Sequence, residues 1–204
     1  MNCYSRGSIL APIMIVGEGP GRDEVGHKIK GSKDTEEKDQ SAPVPFVGPA
    51  GRLMQSLLEF ADIQEGDYIM TNVVKFFPSE NGRTRRPTEE EIKEEISNLH
   101  KEICAIKPKV VIAVGGTSYW ALVKKDTASM KDTRISEANG KVFEIEVEAD
   151  GVKHKTSVLP IYHPAAVLRS AGEKKTMYKK EIAAAFVKNQ ELLGRACGRP
   201  LLIQ

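Results

Sequence analysis

The chain has 204 residues, enough for one domain of ordinary size, with 40% hydrophobic and 28% charged residues. Thirty Lys and Arg against 28 Asp and Glu leave a net charge of +2, a balance that does not by itself identify a nucleic-acid binder. No apolar run approaches the roughly 20 residues that span a bilayer, and neither a signal peptide nor an anchor is visible, so a cytosolic protein is expected, or a nuclear one in a eukaryote.

Residues 12–16, PIMIV, read as a buried strand because apolar positions fill the space between proline and glycine signals. The segment GEGPGRDEVG follows at once, then the polar stretch 28–42, which has no period and is expected to be a long loop or insertion. GPAGRLMQSLLEFADI predicts a helix with Leu53, Leu57, Leu58 and Ala61 on one face. Residues 68–76, YIMTNVVKF, predict a second strand. A long helix comes next, with Thr88 as its N-cap, acids in its first turn and Ile92, Ile96, Leu99, Ile103 and Ile106 as its apolar stripe. KVVIAVGG (109–116) is a third strand, apolar on both faces, and TSYWALVKK opens another helix. The alternating segment around ADG predicts a hairpin, HPAAVLRS a loop, and KKTMYKKEIAAAFVKNQELL a closing helix. Strands alternating with helices imply an open α/β sheet covered on both faces, with ligands beyond the carboxyl ends of the strands.

Each of those ends carries something unusual. The first glycine loop lacks both the dinucleotide fingerprint and the Lys-Ser/Thr of a phosphate loop, so a nucleotide cofactor is not expected. Glu18, Asp23 and Glu24 put three acids beside its glycines, which suits a water better than a phosphate, although a plain turn is the competing explanation. Phe46, in PVPFVGPAGRL, is either a core anchor or a platform for a planar ring. Asn72 sits in a strand where Asn is disfavoured; its amide is satisfied by backbone or presents a donor and an acceptor to a base edge. His163 precedes Pro164 at the last strand end, and Leu168 and Arg169 pair an apolar wedge with a cation, or else form an ordinary surface. Basic clusters at GRTRRP and EKKTMYKKE can hold a phosphate backbone, while a solvated face accounts for either alone. Cys3, Cys104 and Cys197 form no CxxC pair and so make neither a disulfide framework nor a four-thiolate metal site.

In order, GEGPGRDE, PFVGPAGRL, TNVVKFFP with NGRTRRPTEEE, KVVIAVGG and LPIYHPAAVLR resemble the uracil-DNA glycosylase superfamily, most closely its family-four branch, the iron–sulfur enzymes of bacteria and archaea. The resemblance runs from about residue 12 to 185. It implies a three-layer α/β/α domain with a mostly parallel four-stranded sheet, here a single domain over 1–204 with a polar insertion near 28–42. It implies excision of uracil from DNA by hydrolysis of the N-glycosidic bond, in the cytoplasm at the nucleoid, by a monomer with no membrane partner. The alternatives are an enzyme of the same fold acting on another deaminated or modified base, and a non-catalytic DNA binder.

By the same resemblance, Glu24 positions the attacking water, Phe46 stacks on the extruded base, Asn72 reads uracil and His163 stabilises charge on the departing base. Gly17, Glu18, Gly19 and Gly21 form the loop against the base, and Arg83, Arg85, Arg86, Leu168 and Arg169 contact DNA. Three departures stand out. Phe76 replaces the family's third cluster cysteine and Glu95 falls about where the fourth belongs, so no iron–sulfur centre is expected. Val25 replaces the second acid of the first loop, and the 28–42 segment lengthens the path to Phe46.

Overall fold

The computed structural model describes residues 3–25, 43–81 and 83–203; the 28–42 segment lies outside them. In chain order the strands and helices are β1 (Arg6–Gly7), β2 (Ile13–Gly17), α1 (Pro49–Phe60), β3 (Tyr68–Asn72), β4 (Ser79–Glu80), β5 (Arg83–Thr84), α2 (Glu89–Ile106), β6 (Val110–Val114), α3 (Gly116–Tyr119), β7 (Phe143–Ala149), β8 (Val152–Ile161), α4 (Pro164–Arg169), α5 (Gly172–Lys188) and α6 (Gln190–Cys197).

The main sheet has the order β1-β3-β2-β6-β8-β7. Its four inner strands run parallel, as expected, but the sheet has six strands rather than four, because antiparallel β1 and β7 add to the two edges. Side chains alternate across β2, which divides the core in two. Ile13 and Ile15 pack with Leu57 and Leu58 of α1 and Phe186 of α5. Met14 and Val16 pack with Ile92, Leu99 and Ile103 of α2 and with Trp120. The central strands are buried on both faces, which explains their unbroken apolar sequence.

The 143–161 hairpin turns through Asp150 and Gly151, both at positive φ, as a tight two-residue turn requires. Helix α2 starts with the expected cap: Thr88 accepts from Glu91 N–H, and the Glu91 carboxylate accepts from Thr88 N–H.

Three boundaries differ from the sequence reading. The second strand stops at Asn72, four residues early, because Val73 and Val74 N–H turn to the Gly17 and Glu18 carbonyls. HPAAVLRS is a helix rather than a loop: Pro164 occupies the first helical position, and the His163 ring accepts from Ala165 N–H. The closing helix breaks at Asn189, whose Nδ2 donates to the Gly140 and Ala185 carbonyls.

Candidate active site

The four parallel strands end side by side at Gly17, Asn72, Val114 and Ile161, and the residues at and beyond these ends line a cavity of about 610 Å³. Glycine is required at its floor. Gly17 stands opposite Asn72 in the β2–β3 register, and a β-carbon there would collide with Asn72 Oδ1 and come within 2.8 Å of Phe46 Cζ. A β-carbon on Gly19 would lie 2.8 Å from Val74 Cγ2, so the loop hugs the neighbouring strand end. Phe46, Gly17 and Asn72 therefore meet at one point.

Asn72 is only 2% exposed, yet its Nδ2 has no hydrogen-bond partner among the described residues. Leaving a buried amide donor unpaired costs about 1–3 kcal/mol, which is tolerable where a ligand supplies the acceptor. Phe46 is buried and adopts φ 59°, a left-handed conformation uncommon for a bulky residue. Two features hold it there. Its N–H donates to Glu24 Oε1 at 2.8 Å, and α1 approaches through Gly51, where a β-carbon would overlap the Phe46 backbone.

Glu24 lies in a short 3-10 turn, Arg22–Val25. Its Oε2 accepts from Gly21 N–H at 3.1 Å, so the one carboxylate fastens the glycine loop to the Phe46 segment. Val44 N–H adds a third tie, to the Glu24 carbonyl. Burial pushes the Glu24 carboxyl above its usual range, and the two backbone donors oppose that rise. Glu18 also lines the cavity and accepts from the Thr117 hydroxyl at the start of α3. Thr117 carried no sequence signal.

His163 faces the same space from the other side, its side chain packed on Gly115. Its Nδ1 accepts from Ala165 N–H at 3.0 Å, which leaves the ring proton on Nε2. Burial, with Arg169 and Arg86 nearby, pulls its pKa down to about 4. The ring is therefore neutral at physiological pH and is a hydrogen-bond donor through Nε2.

The cations surround the mouth unequally. Arg86 is exposed, with Nε 4.0 Å from Glu18 Oε2, and Arg169 also borders the cavity. Arg85 forms a bidentate pair with Glu91, at 2.5 and 2.7 Å, and so braces the β4–β5 hairpin against α2. Arg83 is exposed on that hairpin, and Leu168 is 45% exposed on α4. The structure thus gathers Glu18, Gly19, Gly21, Glu24, Phe46, Asn72, Arg85, Arg86, His163 and Arg169 around one cavity, with Gly17 packed against Asn72 and Phe46, and Arg83 and Leu168 outside the lining.

A family model described as "Uracil DNA glycosylase superfamily" matches residues 4–187. The chain belongs to the uracil-DNA glycosylase superfamily. A type-4 uracil-DNA glycosylase of Archaeoglobus fulgidus is 33% identical over 193 residues, 95% of this chain and 80% of its own length. Proteins of the same name from Pyrobaculum aerophilum and Saccharolobus solfataricus are 31% and 34% identical, covering 88% and 84% of this chain and 79% and 68% of theirs.

The iron–sulfur branch of the superfamily requires four thiolates at one place, and the three cysteines of this chain do not fit that requirement. Cys3 lies beside Lys75, through a backbone bond of 2.7 Å, and burial pushes its thiol up to about 12. Cys104 on α2 donates its thiol to the Val147 and Val152 carbonyls, and Cys197 ends α6, its thiol raised to about 11 by burial and by Asp67. Among the described residues, no three His, Cys, Asp or Glu side chains are grouped to hold a metal ion. Nor is any described helix long and apolar enough to cross a membrane.

Proposed function

We propose that this protein is a uracil-DNA glycosylase that removes uracil from DNA and leaves an abasic site, acting as a monomer and without an iron–sulfur cluster. The observation that carries the reading is the unpartnered Nδ2 of Asn72, buried at the floor of a cavity walled by an aromatic ring on one side and a neutral His on the other. Uracil offers an N3–H donor flanked by two carbonyls. The Asn72 amide supplies Nδ2–H for O4 and Oδ1 for N3–H, while cytosine presents the opposite pattern there. Phe46 supplies the stacking face. Membership of the superfamily and the names of the relatives support the same substrate.

In this reading the C1′–N1 bond breaks and its electron pair stays on the base. The neutral His163 donates Nε2–H to O2, where the negative charge accumulates, so no proton need be transferred to the base at that step. A water forms the new bond to C1′ and releases a proton. Glu24, with both oxygens already accepting backbone N–H groups, orients that water through its remaining lone pairs and keeps Phe46 in place. Arg83, Arg86, Leu168 and Arg169 contact the DNA around the extruded nucleotide. Arg85 contributes indirectly, by holding the hairpin. The start of α5 adds Lys174, Lys175, Lys179 and Lys180, all exposed and with no ion pair to the described residues.

The test is cleavage of labelled oligonucleotides bearing one uracil opposite G, opposite A or unpaired, followed by alkali. Wild type is expected to cut, and Asn72→Ala and His163→Ala to lose about 100-fold or more in rate, the usual cost of removing one such donor. Absence of cleavage on every uracil substrate, with DNA binding intact, would overturn the reading in favour of another base or of a binder.

A further inference from the structure

Beneath the cavity floor lies a buried cation that the proposed chemistry does not use. Lys75 is 1% exposed, and its Nζ donates three hydrogen bonds: to the Asn72 carbonyl at 2.7 Å, to Thr71 Oγ1 at 2.7 Å and to Glu102 Oε2 at 2.8 Å. Thr71 Oγ1 also donates to Glu102 Oε2 at 2.7 Å, closing a triangle between the end of β3 and α2. All three ammonium donors are used, and a lysine so placed has no access to substrate. Burial pulls its pKa down, while Glu102, Glu95 and Cys3 pull it up.

We propose that Lys75 is a positioning residue that acts through Asn72: with Thr71 and Glu102 it fixes the Asn72 peptide, so that the side-chain amide is presented to the base at one angle. The geometry specifies this role closely. Past Asn72 the chain leaves the ladder, and Val73 and Val74 N–H are held by the Gly17 and Glu18 carbonyls from one side. The Asn72 carbonyl is held by Lys75 from another. The Asn72 side chain itself has Gly17 against Oδ1 and nothing among the described residues on Nδ2. Its aim is therefore set by the backbone it hangs from. An apolar residue at 75 would fill the space but leave that carbonyl buried and unpaired, with the Val73 N–H bond to Gly17 as the remaining hold on the Asn72–Val73 peptide, and misplacing a recognition group by about 1 Å costs on the order of 100-fold.

The proposal rests on the uracil-excision reading, and the experiment separates the two. Lys75→Met is made in wild type and in Asn72→Ala, and kcat/KM for uracil opposite G is measured in all four proteins. If Lys75 acts through Asn72, Lys75→Met lowers kcat/KM by about 10- to 100-fold in wild type and by less than about 2-fold in Asn72→Ala. Equal losses in both backgrounds, or no loss in wild type, would overturn it. Should Lys75→Met not fold, the pair Lys75→Met/Glu102→Leu replaces it, since exchanging a buried ion pair for apolar groups is often neutral for stability. A second readout needs no activity: the Asn72 side-chain NH2 resonances in a nitrogen–proton NMR spectrum. They are expected to shift or broaden in the Lys75 variant while those of Asn139 and Asn189 do not. If wild type fails to excise uracil, the functional reading falls and the NMR result alone decides the role of Lys75; unchanged Asn72 resonances would overturn it.

Discussion

Gly17 and Asn72 stand opposite each other at the ends of two adjacent parallel strands, so close that a single methyl group on Gly17 would occupy the space of Asn72 Oδ1. The same methyl would press on Phe46 Cζ at 2.8 Å. Gly17→Ala therefore disturbs both the amide and the ring proposed to receive the base. We expect excision to fall by about 100-fold, with a stability cost of about 1–3 kcal/mol from overpacking. Steady-state kinetics and thermal unfolding check this together. A stable variant of undiminished activity would show that the floor of the site lies elsewhere.

The neutral state of His163 sets a pH dependence. Its folded pKa of about 4 is below the ordinary 6.5, so between those values the unfolded chain takes up a proton that the folded chain does not. This contribution makes stability decline as pH falls from about 6.5 to 4 and then level off. Above 6.5 it is fully present. Urea unfolding at a series of pH values should show a shallower acid decline in His163→Gln than in wild type. For the same reason the loss of activity attributable to His163 should have its midpoint near pH 4 rather than 6.5.

Arg85 and Arg86 are neighbours in sequence with different surroundings: Arg85 is paired with Glu91, and Arg86 is exposed beside Glu18. Arg85→Ala breaks the bidentate pair with Glu91 and should lower the urea midpoint while leaving the salt dependence of DNA binding unchanged. Arg86→Ala should do the reverse. Thr88→Ala, which removes the cap of the same helix, is expected to cost about 1 kcal/mol.

The lysines of α5 offer a separate check on where the proposed DNA contact lies. Removing one cation from a phosphate reduces the slope of log K against log salt by about 0.9. Lys175→Gln/Lys179→Gln should therefore flatten that slope by about twice as much, with free-uracil inhibition unaffected. A slope equal to that of wild type would place the duplex off this helix.

Strands β2 and β6 were legible because each is a short apolar run bracketed by proline or glycine, and α2 because a capping box precedes a regular stripe. The convergence of four strand ends on one rim followed from the order of elements alone. Other features left no trace in the sequence. Edge strand β1 is two residues long, too short to show a period. Helix α4 was hidden because its cap is a histidine ring nitrogen, and His is not among the residues that ordinarily mark a helix start. Phe46 gives no hint of its positive φ, which is held by Glu24, 22 residues away, and by the close approach of Gly51. Lys75 reads as a surface residue in any composition-based argument; only the fold shows it enclosed by Thr71, Asn72 and Glu102.

Helix α4 joins the two ends of the proposed reaction. Its first turn is capped by His163, whose ring faces the base cavity, and its last residues are Leu168 and Arg169. At 1.5 Å per residue this six-residue rod is about 9 Å long, too short to bend appreciably. His163 and the pair Leu168 and Arg169 therefore sit at opposite ends of one short, stiff element. In the proposed reaction, the group that steadies the departing base and the groups that meet the duplex thus share one support, so a substitution that tilts α4 would disturb both at once.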